Sequence, residues 1–315
     1  MARPPRPAHL PLRAGVAPSA IAVSKGNWAT ALDFLSARLP TVSPAEWADR
    51  MAQQQVLNEQ GEALNSASPC PPCGRRLYYY RHIADEVSHV ADVRVLFQDE
   101  HLLVVDKPHG LPVNPSGRFV QHSLLVWLRR HLHISDLSPL HRIDRETAGL
   151  VVFSMQAHER GLYQALFRQR CIDKRYLALA AKPPSDMTWP QQRCTRLMPD
   201  PAHFFRMVEV NGPANTDTHL DYLGPLTPCS AWGLYQLAPS TGQRHQLRVH
   251  MNALGLPLLG DQLYPTVRFG PGEEDDSGQT LQLLAQSLRF TDPITQETRA
   301  FTSTRQLACP DACSI

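Results

Sequence analysis

The sequence predicts an α+β fold, a mixed, mainly antiparallel sheet with flanking helices, preceded by a small N-terminal α/β module. Two observations carry this. β-Rich runs occur side by side as well as between helical runs, without the strict alternation of a parallel doubly wound sheet. Upstream of them, two short helical patterns, the second with an N-cap signal, and a hairpin pattern lie before residue 65.

In chain order, residues 1–28 are rich in Pro and Ala and read as an extended arm. Leu32, Leu35 and Leu39 share a helical face that Pro40 ends. Ser43, Pro44 and Glu46 form an N-cap pattern for a second helix running through Met51. Val56 and Leu57, followed by the turn Glu59–Glu62, suggest a short strand and hairpin. Residues 29–65 are thus of the size of a small RNA-binding module, or else a docking appendage of the larger unit. Residues 66–92 read as a linker containing Pro69, Pro71 and Pro72. Within it, Arg75, Arg76, Tyr78, Tyr79, Tyr80, Arg81 and His82 suit either phosphate and base contacts or a strand packing one face inward.

The large unit spans 93–315. Val93–Phe97 and Leu102–Asp106 predict a β-hairpin, and a Pro- and Gly-rich loop follows. Leu124, Leu128 and Leu132 mark a helix with Arg129 and Arg130 on its wet side. Gly149–Phe153 is strand-like, and 158–169 is helical with Leu162, Ala165 and Leu166 inward. Strands are expected at 176–180, 204–210, 217–223 and 231–237, a helix near 243–254, and a final strand at 281–290.

Hydrophobic residues make up 43% of the 315 and charged residues 19%, enough apolar material for a substantial core. No apolar run approaches the roughly 18 residues of a membrane span, and the Pro- and Arg-containing N-terminus lacks a secretory apolar segment, so a cytoplasmic location is expected. The net charge of +2 is too small to indicate nucleic acid by itself, so that inference must rest on local Arg and His placement. Seven cysteines are an odd number and a chain this long needs no disulfides, so reduced thiols are the expectation. Cys70 and Cys73 form a single CxxC, and Cys309 and Cys313 a looser pair; one CxxC without its second half predicts no metal site.

Two polar clusters can carry chemistry. In His141–Gly149, Arg142 and Arg145 flank Asp144; their charges would keep the carboxylate ionised and attract phosphate, unless the cluster is a surface salt-bridge group. In Ser240–His250, Arg244, His245, Arg248 and His250 occupy a helix opening. The histidines are five apart without an intervening Glu, unlike the zinc-binding HExxH pattern. Arg244 and Arg248, four apart, would share a helical face suited to an anion.

HRIDRETAG at 141–149 resembles the HRLDRETSG signature of the RluA-type pseudouridine synthases. The resemblance extends, in order, through DEHLLVVDKPHGLPVNPSG (99–117), KRYLALA (174–180), TGQRHQLRVHMNALGLPLLGD (241–261) and LLAQSLRFTDPIT (283–295). Ile143, Ala148 and Leu256 depart conservatively from the pattern, and 29–65 weakly resembles the S-four-type RNA-binding module, with few of its basic residues. The resemblance implies the pseudouridine synthase fold and isomerisation of uridine in ribosomal or transfer RNA, without a cofactor and as a monomer. It implies Asp144 as the catalytic carboxylate, Tyr176 against the uracil and Arg248 paired with Asp144. It also implies Leu283 or Leu284 as pocket wall, Arg142 at the RNA backbone or in the space left by the base, and Arg145, Arg244 and His245 as further RNA contacts. The reaction breaks N1–C1′, turns the uracil and rejoins it through C5, which requires the nucleotide to leave its stack. Asp144 would attack C1′ or abstract the C2′ proton. Two other classes compete: an RNA-binding protein without catalysis, which needs no carboxylate, and a glycosidase, which would need a second carboxylate such as Glu146.

Overall fold

The computed structural model describes residues 7, 9–81, 86, 92–117, 119–226, 231–270, 273 and 278–308. His82, Cys309 and Cys313 lie outside the described residues. The N-terminal module comprises β1 (Ser19–Ala22), α1 (Ala31–Arg38), α2 (Pro44–Ala52), β2 (Val56–Leu57) and β3 (Arg76–Tyr79), with an antiparallel sheet of order β1-β3-β2. Ser43 caps α2 with Pro44 in its first turn, as the cap residues predict, and Thr30 and Asp33 form a capping box on α1 that the sequence reading did not single out. Phe34, Leu35, Trp47, Met51, Val56 and Leu77 make its core.

The expected arm and linker are corrected here, because β1 lies in the first and β3 in the second. A two-residue β2 cannot cover the apolar side of two helices, and the sheet is completed from both flanks. Strand alternation divides β3: Leu77 and Tyr79 meet the helices, while Tyr78 packs with Tyr80, Leu10 and Leu57. The tyrosine run is therefore an inward-packing strand. Tyr80 donates its hydroxyl to the Pro11 carbonyl at 2.6 Å.

The large unit contains β4 (Arg94–Gln98), β5 (Leu102–Lys107), α3 (Leu124–Leu132), β6 (Ser138–Pro139), β7 (Ala148–Ser154), α4 (Arg160–Arg168), β8 (Asp173–Ala181) and β9 (Gln191–Arg193). It continues with β10 (Arg196–Pro199), β11 (Met207–Val210), β12 (Thr218–Pro225), β13 (Trp232–Pro239), α5 (Gln246–Ala253), β14 (Leu283–Thr291) and β15 (Thr298–Thr302). Among the described residues the main sheet runs β4-β5-β7-β14-β8-β13-β12-β9, with β15 added to β14 and β6 to β7. Of these pairings only β7–β14 is parallel, so the sheet is mixed and mainly antiparallel. β10 and β11 form a separate hairpin.

Three expectations for this unit change. β14 is not the final strand, since β15 pairs with it. In α4, Leu162 is exposed and Tyr163 is the buried residue, because the Tyr163 hydroxyl finds a partner 3.0 Å away in the buried Asp292 carboxylate. Arg129 and Arg130 are not on a wet face: Arg130 Nε donates to the Ala14 carbonyl at 2.5 Å and Arg129 to that of Leu137 at 2.9 Å. Beside them Val16 packs on Val120 and Val126, so residues 9–16 join the small module to the large unit.

Candidate active site

Asp144 lies in the loop between β6 and β7, and two packed features hold that loop. Gly149 enters β7 at φ +107°, and a Cβ there would stand 2.3 Å from the Ala285 carbonyl oxygen, so only glycine allows β7 and β14 to pair at this point. Beneath the loop, Lys107 at the end of β5 is fully buried and donates to the carbonyls of Pro108 and Arg145, each at 2.9 Å. Burial pushes the Lys107 ammonium down to about 7, against the pull of Glu146 and Asp144. His109 Nδ1 donates to the Glu146 carbonyl at 2.6 Å. In the sequence Lys107 and His109 stand out only as part of a breaker-rich block; an apolar run ending directly in Asp106 and Lys107 is the available signal.

Arg248 comes from α5 and is 1% exposed. Its Nε and Nη2 bond to the two carboxylate oxygens of Asp261 at 2.7 and 2.6 Å. Asp261 also accepts the backbone N–H groups of Leu263 and Tyr264. Gly260, at φ +76°, allows the chain to pass against Thr280, whose carbonyl oxygen a Cβ would meet at 2.2 Å. The fork thus fixed aims its remaining nitrogen, Nη1, at Asp144 Oδ2, 3.5 Å away, and at Glu146 Oε2, 3.9 Å away. That nitrogen is buried and makes no hydrogen bond. Asp261 and Tyr264 were missed as site residues, since nothing local to them indicates a partner in α5.

The helix opening differs from expectation. His245 caps α5 in the left-handed region, at φ 54°, so Arg244 precedes the helix and shares no face with Arg248. Arg244 is exposed and donates to the carbonyls of Phe204 and Phe205. His245 is buried against the Tyr264 hydroxyl, 3.1 Å away, and burial lowers its pKa to about 4, leaving it neutral at pH 7.

Burial opposes charge on Asp144, but His245, Arg248 and Arg244 overcome it and hold the carboxyl below its ordinary range. Because His245 is neutral near pH 7, the standing cations are Arg248 and Arg244. The flanking Arg142 and Arg145 are not the cause that their sequence positions suggested. Arg145 instead pairs with Glu146 at 2.8 Å and lies over the Phe119 ring. Burial, with the nearby Asp144 charge, raises the Tyr176 hydroxyl and keeps it protonated.

Two adjoining cavities meet at Asp144. One, of about 500 Å³, is lined by Ile143, Asp144, Tyr176, Leu247, Arg248 and Leu283, with Arg142 and His245 also at its wall. The other, of about 790 Å³, shares Asp144, Arg142, His245 and Arg248 and adds Arg145, Arg244, Phe119 and Phe205. Leu284 lines neither, because the next residue along β14 turns to the other face of the sheet. Glu146 lines only the larger cavity. Among the described residues no cluster of His, Cys, Asp and Glu could hold a metal ion, and no helix is long and apolar enough to cross a membrane.

Residues 101–253 match the RNA pseudouridylate synthase family. The chain is 30% identical over 247 residues to an uncharacterised RNA pseudouridine synthase of Synechocystis, covering 76% of this chain and 79% of that protein. It is also 30% identical over 217 residues to the dual-specificity RNA pseudouridine synthase RluA of Vibrio vulnificus, covering 63% and 78%. The solved structure of human RNA pseudouridylate synthase domain containing 4 superposes with a TM-score of 0.51 at 26% identity, covering 68% of this chain and 88% of that one.

Proposed function

The chain belongs to the RluA-type RNA pseudouridine synthases, isomerases that act on RNA, and we propose that Asp144 is its catalytic carboxylate, acting on a uridine turned out of structured ribosomal or transfer RNA. The observation that carries this reading is the pairing of an ionised Asp144 with a buried Arg248 whose fork is fixed by Asp261. A carboxylate poised this way can attack C1′, or remove the C2′ proton. In the first route Asp144 displaces N1 from C1′ and is itself displaced when C5 of the turned uracil bonds to C1′. In the second, the C2′ proton taken by Asp144 as N1–C1′ breaks returns to C2′ when C1′ joins C5. In both, the C5 proton leaves to solvent and N1 gains one, so atoms balance without redox change. In this reading Tyr176 and Leu283 face the uracil in the smaller cavity, limiting water access while the base is free. Arg142, Arg145 and Arg244 serve the phosphates, and neutral His245 borders the base.

We further propose that residues 93–315 form the catalytic unit, that the module ahead of it contributes to RNA placement, and that the enzyme works as a cytoplasmic monomer. A purely RNA-binding role would leave the fixed Arg248–Asp144 geometry without a use. The test is tritium release from C5-labelled uridine in unmodified transfer and ribosomal RNA transcripts, followed by site mapping. Release with pseudouridine at defined positions supports the proposal; tight binding with no release from either RNA class contradicts it.

A further inference from the structure

The β10–β11 hairpin carries a chemical feature that the isomerisation does not use. Phe204, in the loop joining the two strands, is 74% exposed. An exposed aromatic ring on a loose loop would need no explanation, but this loop is anchored at several points. Arg244 holds the carbonyls of Phe204 and Phe205. At the foot of the hairpin, the Tyr264 hydroxyl donates to the Met207 carbonyl and accepts its N–H, both at 2.9 Å. The same hydroxyl meets His245, the neighbour of Arg244 in the chain, and Arg206 lies 4.9 Å over the Tyr264 ring. Tyr264 therefore ties the hairpin directly to the wall of the cavities that hold Asp144.

The ring is also continuous with the larger cavity. Phe204 meets Phe205 edge-on at 5.5 Å, and Phe205 lines that cavity together with Arg142, Arg145 and Arg244. An aromatic platform held at the rim of a cavity whose lining carries Arg142, Arg145, Arg244 and Arg248 against the carboxylates of Asp144, Glu146 and Glu273 has the chemistry of a base-stacking site beside a phosphate contact. We propose that Phe204 stacks on an unpaired base of the substrate RNA adjacent to the target uridine, and that the larger cavity receives the backbone joining the two. This inference rests on the proposed RNA chemistry of Asp144 and adds a residue that sets how neighbouring nucleotides are held.

Phe204→Ala, Phe204→Tyr and Phe204→Leu test it. With C5-tritiated transfer and ribosomal RNA transcripts, the Ala variant should raise KM about tenfold, within the range for loss of one base–aromatic stack, with kcat unchanged. The Tyr variant should restore KM and the Leu variant should not, although Leu keeps an apolar side chain. Unchanged KM in the Ala variant, or equal rescue by Leu and Tyr, overturns the proposal. So does a dimeric wild type that the Ala variant converts to monomer, which would assign the ring to self-association. Equilibrium binding of a short oligouridylate separates this idea from the catalytic one: a Phe204-dependent affinity in an inactive protein would refute the catalytic reading and retain the stack.

Discussion

The two Arg-containing clusters look alike in the sequence and differ in the structure. Arg142 and Arg145 adjoin the carboxylate in the chain; the first is exposed and the second is bound to Glu146. Arg248, more than a hundred residues away, is buried and aims a free nitrogen at Asp144. Adjacency along the chain is therefore an incomplete guide to which arginines act on Asp144. The cations that hold Asp144 ionised are Arg248 and Arg244, both distant in the chain, and Arg248 is the one that has lost its water and is matched by Asp261, where its field is screened less than that of a surface arginine.

The largest effect that would break this contrast comes from Arg248→Ala. It leaves Asp261 buried without its cation, so the protein should lose about 3–5 kcal/mol of stability in urea titrations. In the fraction that remains folded, turnover should drop about a hundredfold, as for loss of a preorganised charged donor. The pH profile gives the sign independently. Wild-type activity should hold as pH falls until the depressed pKa of Asp144 is reached, whereas removing the Arg248 charge should move that acid limb upward. An unmoved limb would show that Arg248 does not set the carboxylate's ionisation.

A smaller effect is expected from Lys107→Met, which leaves the Pro108 and Arg145 carbonyls without their buried donor, at a cost of about 1–3 kcal/mol. Folding lowers the Lys107 pKa from 10.5 to about 7, so the unfolded chain binds this proton more tightly. The penalty is full below pH 7 and fades as pH rises towards 10.5, so this residue makes wild-type stability increase across that window. The slope should vanish in the Met variant, and its persistence would show that Lys107 is not its source.

The smallest effect belongs to the exposed cluster. Arg142→Ala should change stability by no more than about 0.5 kcal/mol. It should weaken RNA binding evenly and flatten the salt dependence by about one phosphate contact, with a slope change of roughly 0.7–0.9. A stability loss like that of Arg248→Ala would erase the distinction between the clusters.

Much of this was legible from residues whose meaning is local. Ser43 with Pro44 announces a helix start because caps act within one turn. The apolar runs Leu102–Asp106 and Gly149–Phe153 place two strands, β5 and β7; that β5 is buried on both faces and that Gly149 passes against the Ala285 backbone appear only in the packed sheet. The illegible parts depend on distant partners. β1 reads as an arm because four residues gain strand structure only from β3, and Leu162 faces water because Tyr163 is drawn inward by Asp292. Asp261 became visible as a site residue only once α5 was in place beside it.

Asp144→Asn is the most direct test, since it preserves shape while removing charge and basicity. The folded variant should bind C5-tritiated RNA with wild-type or slightly higher affinity, because Arg142, Arg145 and Arg244 remain, and should release no detectable tritium. Substantial release from folded Asp144→Asn protein would contradict the assignment of Asp144 as the catalytic carboxylate.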